Sequence, residues 1–274
     1  MNFVEKKEPL ALASQIADHL SEAHAVEAIV LSGSRTSGFD DDSSDIDVYV
    51  YTHDSISLET RAQVAAGARR AEIGNNFWEP GDEWVDSDTG ISVDVMFRDV
   101  HWIEDQLDRI LKYHQASIGY STCFWYNVLH SEPLFDRAGW FQELLKRAEQ
   151  PYPVALRSAI IAKNHPILRH NQSSYLHQME VAINRNDFVS LNHRSSALLI
   201  SYFDILFALN SVPHPGEKRL LQAATRLCTT IPSKMPQQLT ELLESLPAMN
   251  TSVITKANIL IDGLDELLKR YGLI

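Results

Sequence analysis

Apolar positions change their period along the chain. Leu10, Ala13, Ala17 and Leu20 recur at three- and four-residue intervals, which predicts a helix. The run AVEAIVLSGS that follows is β-branched and ends in small residues, so a strand and a tight turn come next. After an acidic stretch, DIDVYVYT alternates. Ile46, Val48 and Val50 fall on one face and Asp45, Asp47 and Tyr49 on the other, the pattern of a half-buried strand. Residues 57–73 read as a helix and GNNFWEPGDEW as an irregular aromatic and acidic loop. VDSDTGISVDVMF reads as a hairpin with its turn at 87–90 and its second strand at 91–97.

From residue 99 onward strand signals fade. WIEDQLDRILKYH, STCFWYNVLH and GWFQELLKRAEQ have helical character, and PYP at 151–153 is the clearest linker. Beyond it, Phe188, Leu191, Ser195, Leu198, Leu199, Tyr202, Ile205, Leu206 and Leu209 form one stripe of a long helix that Asp187 is placed to cap. SVPHPGEKRLL ends that helix and opens another near Pro215, and two more are predicted over 234–246 and 250–271. The expected architecture is an α/β (α+β) first domain with a small mixed sheet, residues 1–150, followed by an all-α helical bundle, residues 151–274.

Composition narrows the function classes. None of the 274 residues lies in an apolar run long enough to span a membrane, and MNFVEKKEPL lacks the apolar centre of a secretory signal, so a cytoplasmic protein is expected. Cys123 and Cys228 are the only cysteines, and they are expected to be buried thiols rather than part of a disulfide framework or zinc site. The eleven histidines show no spacing that suggests a metal pair, and His214, between two prolines, is assigned to a loop between helices. The formal net charge of −12 is unfavourable for holding a long nucleic acid. That total is uneven: residues 1–150 carry 12 Lys and Arg against 27 Asp and Glu, whereas residues 151–274 carry 12 against 9.

Candidate chemistry gathers between residues 31 and 50. Gly33 lets the backbone approach an anion, and the Ser34 hydroxyl with free N–H groups of the following turn suits a phosphate. Asp45 and Asp47, two apart on a strand, point the same way, as two ligands of a Mg²⁺ pair would. Asp94 alternates with Val93 and Val95, and it joins them if its strand lies beside that of Asp47. Asp40, Asp41 and Asp42 lack strand geometry to aim them and are read as a solvated loop.

GSRTSGFDDDSSDID followed by a distant VDV resembles the signature of the DNA polymerase β-type nucleotidyltransferase superfamily, and the chain is similar to bacterial stand-alone and antibiotic-modifying members with an appended helical domain. The resemblance covers about the first hundred residues. It implies transfer of a nucleoside monophosphate, with ATP the expected donor and AMP the group moved, to an acceptor hydroxyl. Carried over to this sequence, it implies that Gly33 and Ser34 face the triphosphate, that Asp45 and Asp47 hold two Mg²⁺ ions, and that Asp94 completes the catalytic metal site and helps activate the acceptor. The nucleotide is expected between the two domains.

Arg35 is either a further phosphate contact or an ordinary surface arginine. Lys218, near a predicted helix start where a cation is disfavoured, makes sense beside an anion such as the triphosphate, or else extends into water. Glu79, Asp82, Glu83, Asp86 and Asp88, with Trp78 and Trp84, make a loop expected to overhang the site and favour a small cationic acceptor of the aminoglycoside kind. The other tryptophans are assigned to the core or a domain interface. A tRNA or protein acceptor, and a non-catalytic binding or regulatory protein of the same fold, are the competing readings; the intact set of three acids argues against the last.

Overall fold

A computed structural model of the protein describes residues 7–41 and 44–274. The chain divides into two units, residues 1–108 with 127–150 and residues 109–126 with 151–274.

The first unit is built on a six-stranded sheet. Helix α1 (Lys7–Ser21) buries Ala13, Ile16, Ala17 and Leu20 and leads into β1 (Val26–Ser32). A single helical turn, α2 (Ser34–Ser37), and an acidic connection precede β2 (Ile46–Thr52). Asp40 and Asp41 in that connection are exposed, and Asp42 lies outside the described residues. The first unit continues with α3 (Leu58–Val64), β3 (Arg70–Asn75), β4 (Gly81–Val85), β5 (Ser92–Asp99), α4 (Val100–Leu111), α5 (Cys123–Leu129), β6 (Glu132–Asp136) and α6 (Trp140–Ala148), with the division between units falling inside α4 and α5. The strand order is β3-β4-β5-β2-β1-β6. The β2–β5 pair is parallel and the others are antiparallel, which makes the sheet mixed.

Alternation sorts the two faces. Ile29, Leu31, Ile46, Val48, Val50, Trp84, Val93 and Val95 pack with α1 in a dry core. The opposite face carries Asp47, Tyr49 and Tyr51 along β2. Tyr51 is covered by Trp140 and Phe141 of α6, at ring separations of 5.2 and 5.8 Å, and the Arg98 guanidinium lies over Tyr49. The far end of β2 is therefore closed, and the near end, with Asp45 and Asp47, is left open to solvent.

Three elements of the first unit differ from expectation. The helix expected over 57–73 stops at Val64, because Gly67 adopts a left-handed φ of 88° and the chain then enters β3. The sequence GNNFWEPGDEW is largely β-hairpin, since its ends belong to β3 and β4. Strand β6 was not expected after residue 99; it is short and contains Pro133, which an edge strand tolerates.

The second unit is helical: α7 (Val154–Arg169), α8 (Tyr175–Asn184), α9 (Phe188–Leu209), α10 (Leu220–Leu227), α11 (Met235–Ser245), a 3-10 turn (Leu246–Ala248) and α12 (Thr251–Arg270). Asp187 caps α9 by accepting the Ser190 N–H at 2.9 Å, as its position predicts, and the stripe from Leu191 to Leu209 is buried apart from the half-buried Leu199. Phe188, at the first position of the helix, is instead exposed. Helix α10 begins at Leu220 rather than near Pro215, because Gly216 and Arg219 both take positive φ and interrupt the winding. Among the described residues no helix is long and apolar enough to cross a membrane.

Candidate active site

Strand register places five polar side chains in one row across the sheet. Ser32 on β1 pairs with Asp47 on β2, Asp47 with Asp94 on β5, Asp94 with Glu83 on β4, and Glu83 with Glu72 on β3. Directly paired residues share a face. The sequence-based grouping of Asp47 with Asp94 thus corresponds to adjacent strands in register, and Asp45, one residue ahead of β2, is close enough for its charge to act on Asp94. Asp45 is exposed, and Asp47 and Asp94 are half-buried.

Such a row is electrostatically costly without a cation. Burial, reinforced by the negative charges of Asp47, Glu83, Asp45 and Glu79, pushes the Asp94 carboxyl up to about 6 from an ordinary value of 3.8. A divalent ion shared by these carboxylates would relieve that repulsion. In its oxygen donors and in its charge the set fits a hard cation such as Mg²⁺.

The turn at Gly33 abuts the row. Gly33 has φ 75° and ψ −149°, and a Cβ added to it would lie 2.6 Å from Cγ of Asp47. Only glycine lets β1 end here with Asp47 folded against the turn. Ser34 opens α2 and is half-buried, while Ser37 Oγ donates to the Gly33 carbonyl at 2.8 Å and steadies the turn. Arg35 reaches back: its Nε donates to the Asp45 carbonyl at 2.9 Å, and its Nη2 donates to that of Ser44. The guanidinium thereby ties the turn to the backbone that presents Asp45.

The acidic hairpin is only partly what its composition suggests. Glu79 takes two hydrogen bonds from Arg98, at 2.7 and 3.0 Å. Asp82 is buried and accepts from Arg61 at 2.6 and 2.8 Å and from the Gly74 N–H at 2.7 Å. Asp86 organises the turn through Thr89, whose hydroxyl and N–H both donate to it, and these bonds hold its carboxyl below the usual range. These three acids are structural. Asp88 is exposed in the turn, and Glu83, with Glu72, Arg70, Trp78, Asp45 and Asp94, lines a cavity of about 420 Å³. Trp78 is 93% exposed, whereas Trp84 is packed in the core. Glu72 escapes the sequence reading because it falls in the predicted helix; Glu83 is read there as part of an acidic loop, and the alternation in GDEW is the signal for its place on a strand.

Lys218 belongs to the helical unit, exposed, two residues before α10. His214 does lie in the loop after α9, but it is buried, and burial pushes its imidazole pKa down to about 3.

Residues 14–77 match the family described as polymerase beta, nucleotidyltransferase. Within the first unit, residues 14–77 thus correspond to a polymerase β-type nucleotidyltransferase domain. The matched segment of this nucleotidyltransferase domain contains Gly33, Ser34, Asp45 and Asp47, and Asp94 lies beyond it. Domains of this family generally work with a divalent metal and a nucleoside triphosphate. Among solved structures, the chain is similar to a nucleotidyltransferase-like protein from Exiguobacterium sibiricum, with 12% identity, a TM-score of 0.45, and coverage of 95% of this chain and 74% of that one. No curated protein matches the chain by sequence.

Proposed function

We propose that the protein transfers a nucleoside monophosphate, AMP from ATP, to a hydroxyl of a small cationic acceptor resembling an aminoglycoside. The observation that carries this reading is the in-register row of Asp47 and Asp94, with Asp45 beside it, against the Gly33 turn. Asp45, Asp47 and Asp94 would hold two Mg²⁺ ions. When bound, the ions supply Lewis acidity and neutralise charge on the triphosphate.

The chain's own residues do the remainder. Gly33 and Ser34 bring backbone and hydroxyl to the phosphates, and Arg35 fixes the carbonyls of Ser44 and Asp45 so that the Asp45 carboxylate is aimed. Asp94 accepts the proton of the acceptor hydroxyl. The acceptor oxygen then bonds to the α-phosphorus as the bond to the bridging oxygen breaks, and pyrophosphate leaves. Lys218 is kept as a proposed phosphate contact, and Lys218→Ala would then weaken nucleotide binding.

The acceptor assignment draws support from Glu72, Glu83 and exposed Trp78 lining the cavity that Asp45 and Asp94 also line. Carboxylates attract an ammonium group, and an aromatic face covers it or a sugar ring. The test is incubation with Mg²⁺, each labelled nucleoside triphosphate, and a panel of aminoglycosides, tRNA and protein acceptors, with Asp47→Asn as control. Transfer from ATP to an aminoglycoside, with a raised acceptor KM in Glu83→Gln, is expected. Transfer to tRNA or protein that Glu83→Gln does not alter overturns the acceptor assignment, and no transfer to any acceptor overturns the enzymatic one.

A further inference from the structure

The helical unit brings together a second set of metal-ligating side chains, unrelated to the aspartates of the first unit. His165 on α7, His170 at the end of α7 and Asp265 on α12 each offer a ligand atom, and the three atoms lie within 4.8 Å of one another. His165 Nε2 is 2.7 Å from Asp265 Oδ1, and the two imidazole rings are 4.8 Å apart. His165 and Asp265 are buried, whereas His170 is exposed.

Part of this arrangement is an ordinary buried ion-pair network. Arg169 donates to Asp265 Oδ2, to Asp262 Oδ1 at 2.6 Å and to Asn258 Oδ1 at 3.1 Å. That network accounts for His165, Arg169 and Asp265; His170 joins the cluster through its ring, which packs against that of His165. It also keeps a surplus of negative charge, two carboxylates against one guanidinium. The Arg169 bond to Asp265 Oδ2 leaves Oδ1 to face the imidazoles, which is how a ligating carboxylate is oriented from behind.

We infer that His165, His170 and Asp265 form a binding site for a divalent transition metal of the Zn²⁺ class, which ties the end of α7 to α12. Two imidazole nitrogens and one carboxylate oxygen select Zn²⁺, Co²⁺ or Ni²⁺ over Mg²⁺, and three protein ligands leave a coordination position for solvent. Zinc bonds of about 2.0–2.2 Å at tetrahedral angles hold ligand atoms about 3.3 Å apart, so the His165–Asp265 pair, at 2.7 Å, opens slightly and His170 closes in. His170, exposed at the helix end, has the freedom to supply the movement. His165 binds through Nε2, so a metal takes the place of the hydrogen bond to Asp265 Oδ1, and Nδ1 carries the ring proton. The site rests on the helical unit alone and does not depend on the proposed nucleotide transfer.

Zn²⁺ binding to the full chain is measured by calorimetry and by thermal unfolding, with Co²⁺ as a spectroscopic probe, in wild type, His170→Ala and, as a surface control, His193→Ala. In wild type and His193→Ala, Zn²⁺ raises the unfolding temperature saturably, and Co²⁺ gives the visible absorption of a nitrogen-ligated ion. In His170→Ala the dissociation constant for Zn²⁺ rises on the order of tenfold or more, while unfolding without metal stays near that of wild type. Equal Zn²⁺ responses in wild type and His170→Ala, or no response in wild type, overturn the assignment.

Discussion

The Cα of Gly33 packs against the carboxylate of Asp47, leaving no room for a methyl group between them. The turn proposed to meet the phosphates and the side chain proposed to ligate a metal are thus one steric unit.

Gly33→Ala is expected to displace Asp47 and abolish nucleotide transfer. Gly33 holds φ 75° and ψ −149°, a conformation almost confined to glycine, and another residue there costs about 1–3 kcal/mol, so the variant should unfold at a lower temperature. Turnover near that of wild type would mean that Asp47 is dispensable or finds another route to its place.

Asp94 makes the metal-free protein sensitive to pH. Its folded pKa of about 6 exceeds the ordinary 3.8, so between these values the folded state holds more protons than the unfolded one. Stability contributed by this group is therefore full below about pH 4 and declines as pH rises toward 6. Unfolding temperatures measured in EDTA across that window should fall less steeply in Asp94→Asn than in wild type, and Mg²⁺ should restore stability to wild type alone. The same substitution, like Asp45→Asn and Asp47→Asn, should eliminate turnover.

Arg35 serves the site through the backbone. Arg35→Ala should lower kcat and raise the Mg²⁺ concentration needed for half-maximal activity, with partial recovery in Arg35→Lys, whose single ammonium can reach only part of the carbonyl pair. A change confined to the nucleotide KM would mark it as a direct phosphate ligand instead.

Asp82 is a structural acid. Asp82→Ala leaves Arg61 without its carboxylate, at a cost of about 3–5 kcal/mol, readable as a lowered midpoint in denaturant unfolding. A loss below about 1 kcal/mol, the level of an exposed pair, would show that the pair is solvated.

The legible parts of this protein were those written in local periodicity. Asp45 and Asp47 were readable because alternation with Ile46 and Val48 fixes a face, and Asp187 because a cap precedes a clear helical stripe. Hidden parts depended on partners distant in sequence. Asp82 and Glu79 look like a solvated acidic loop until Arg61 and Arg98 reach them from 21 and 19 residues away. His165 and His170 are five apart, a spacing that does not share a face of a regular helix. At the end of α7 the His170 N–H keeps the regular bond to the Pro166 carbonyl and the Asn171 N–H reaches the same carbonyl from five residues on, so the last turn is widened and departs from regular helical spacing.

Strand β3 forms one margin of the sheet, so among the described residues the backbone groups on its outer side have no neighbouring strand to pair with. A bare margin of this kind templates self-association between copies of a chain. Arg70 and Glu72, exposed and 3.6 Å apart, put charge along it, and both also border the cavity beside Asp45 and Asp94. Residues that face the proposed acceptor are thus also the ones that keep molecules apart. Selection for a more apolar acceptor through Glu72 would carry a colloidal penalty, visible as concentration-dependent light scattering in Glu72→Val.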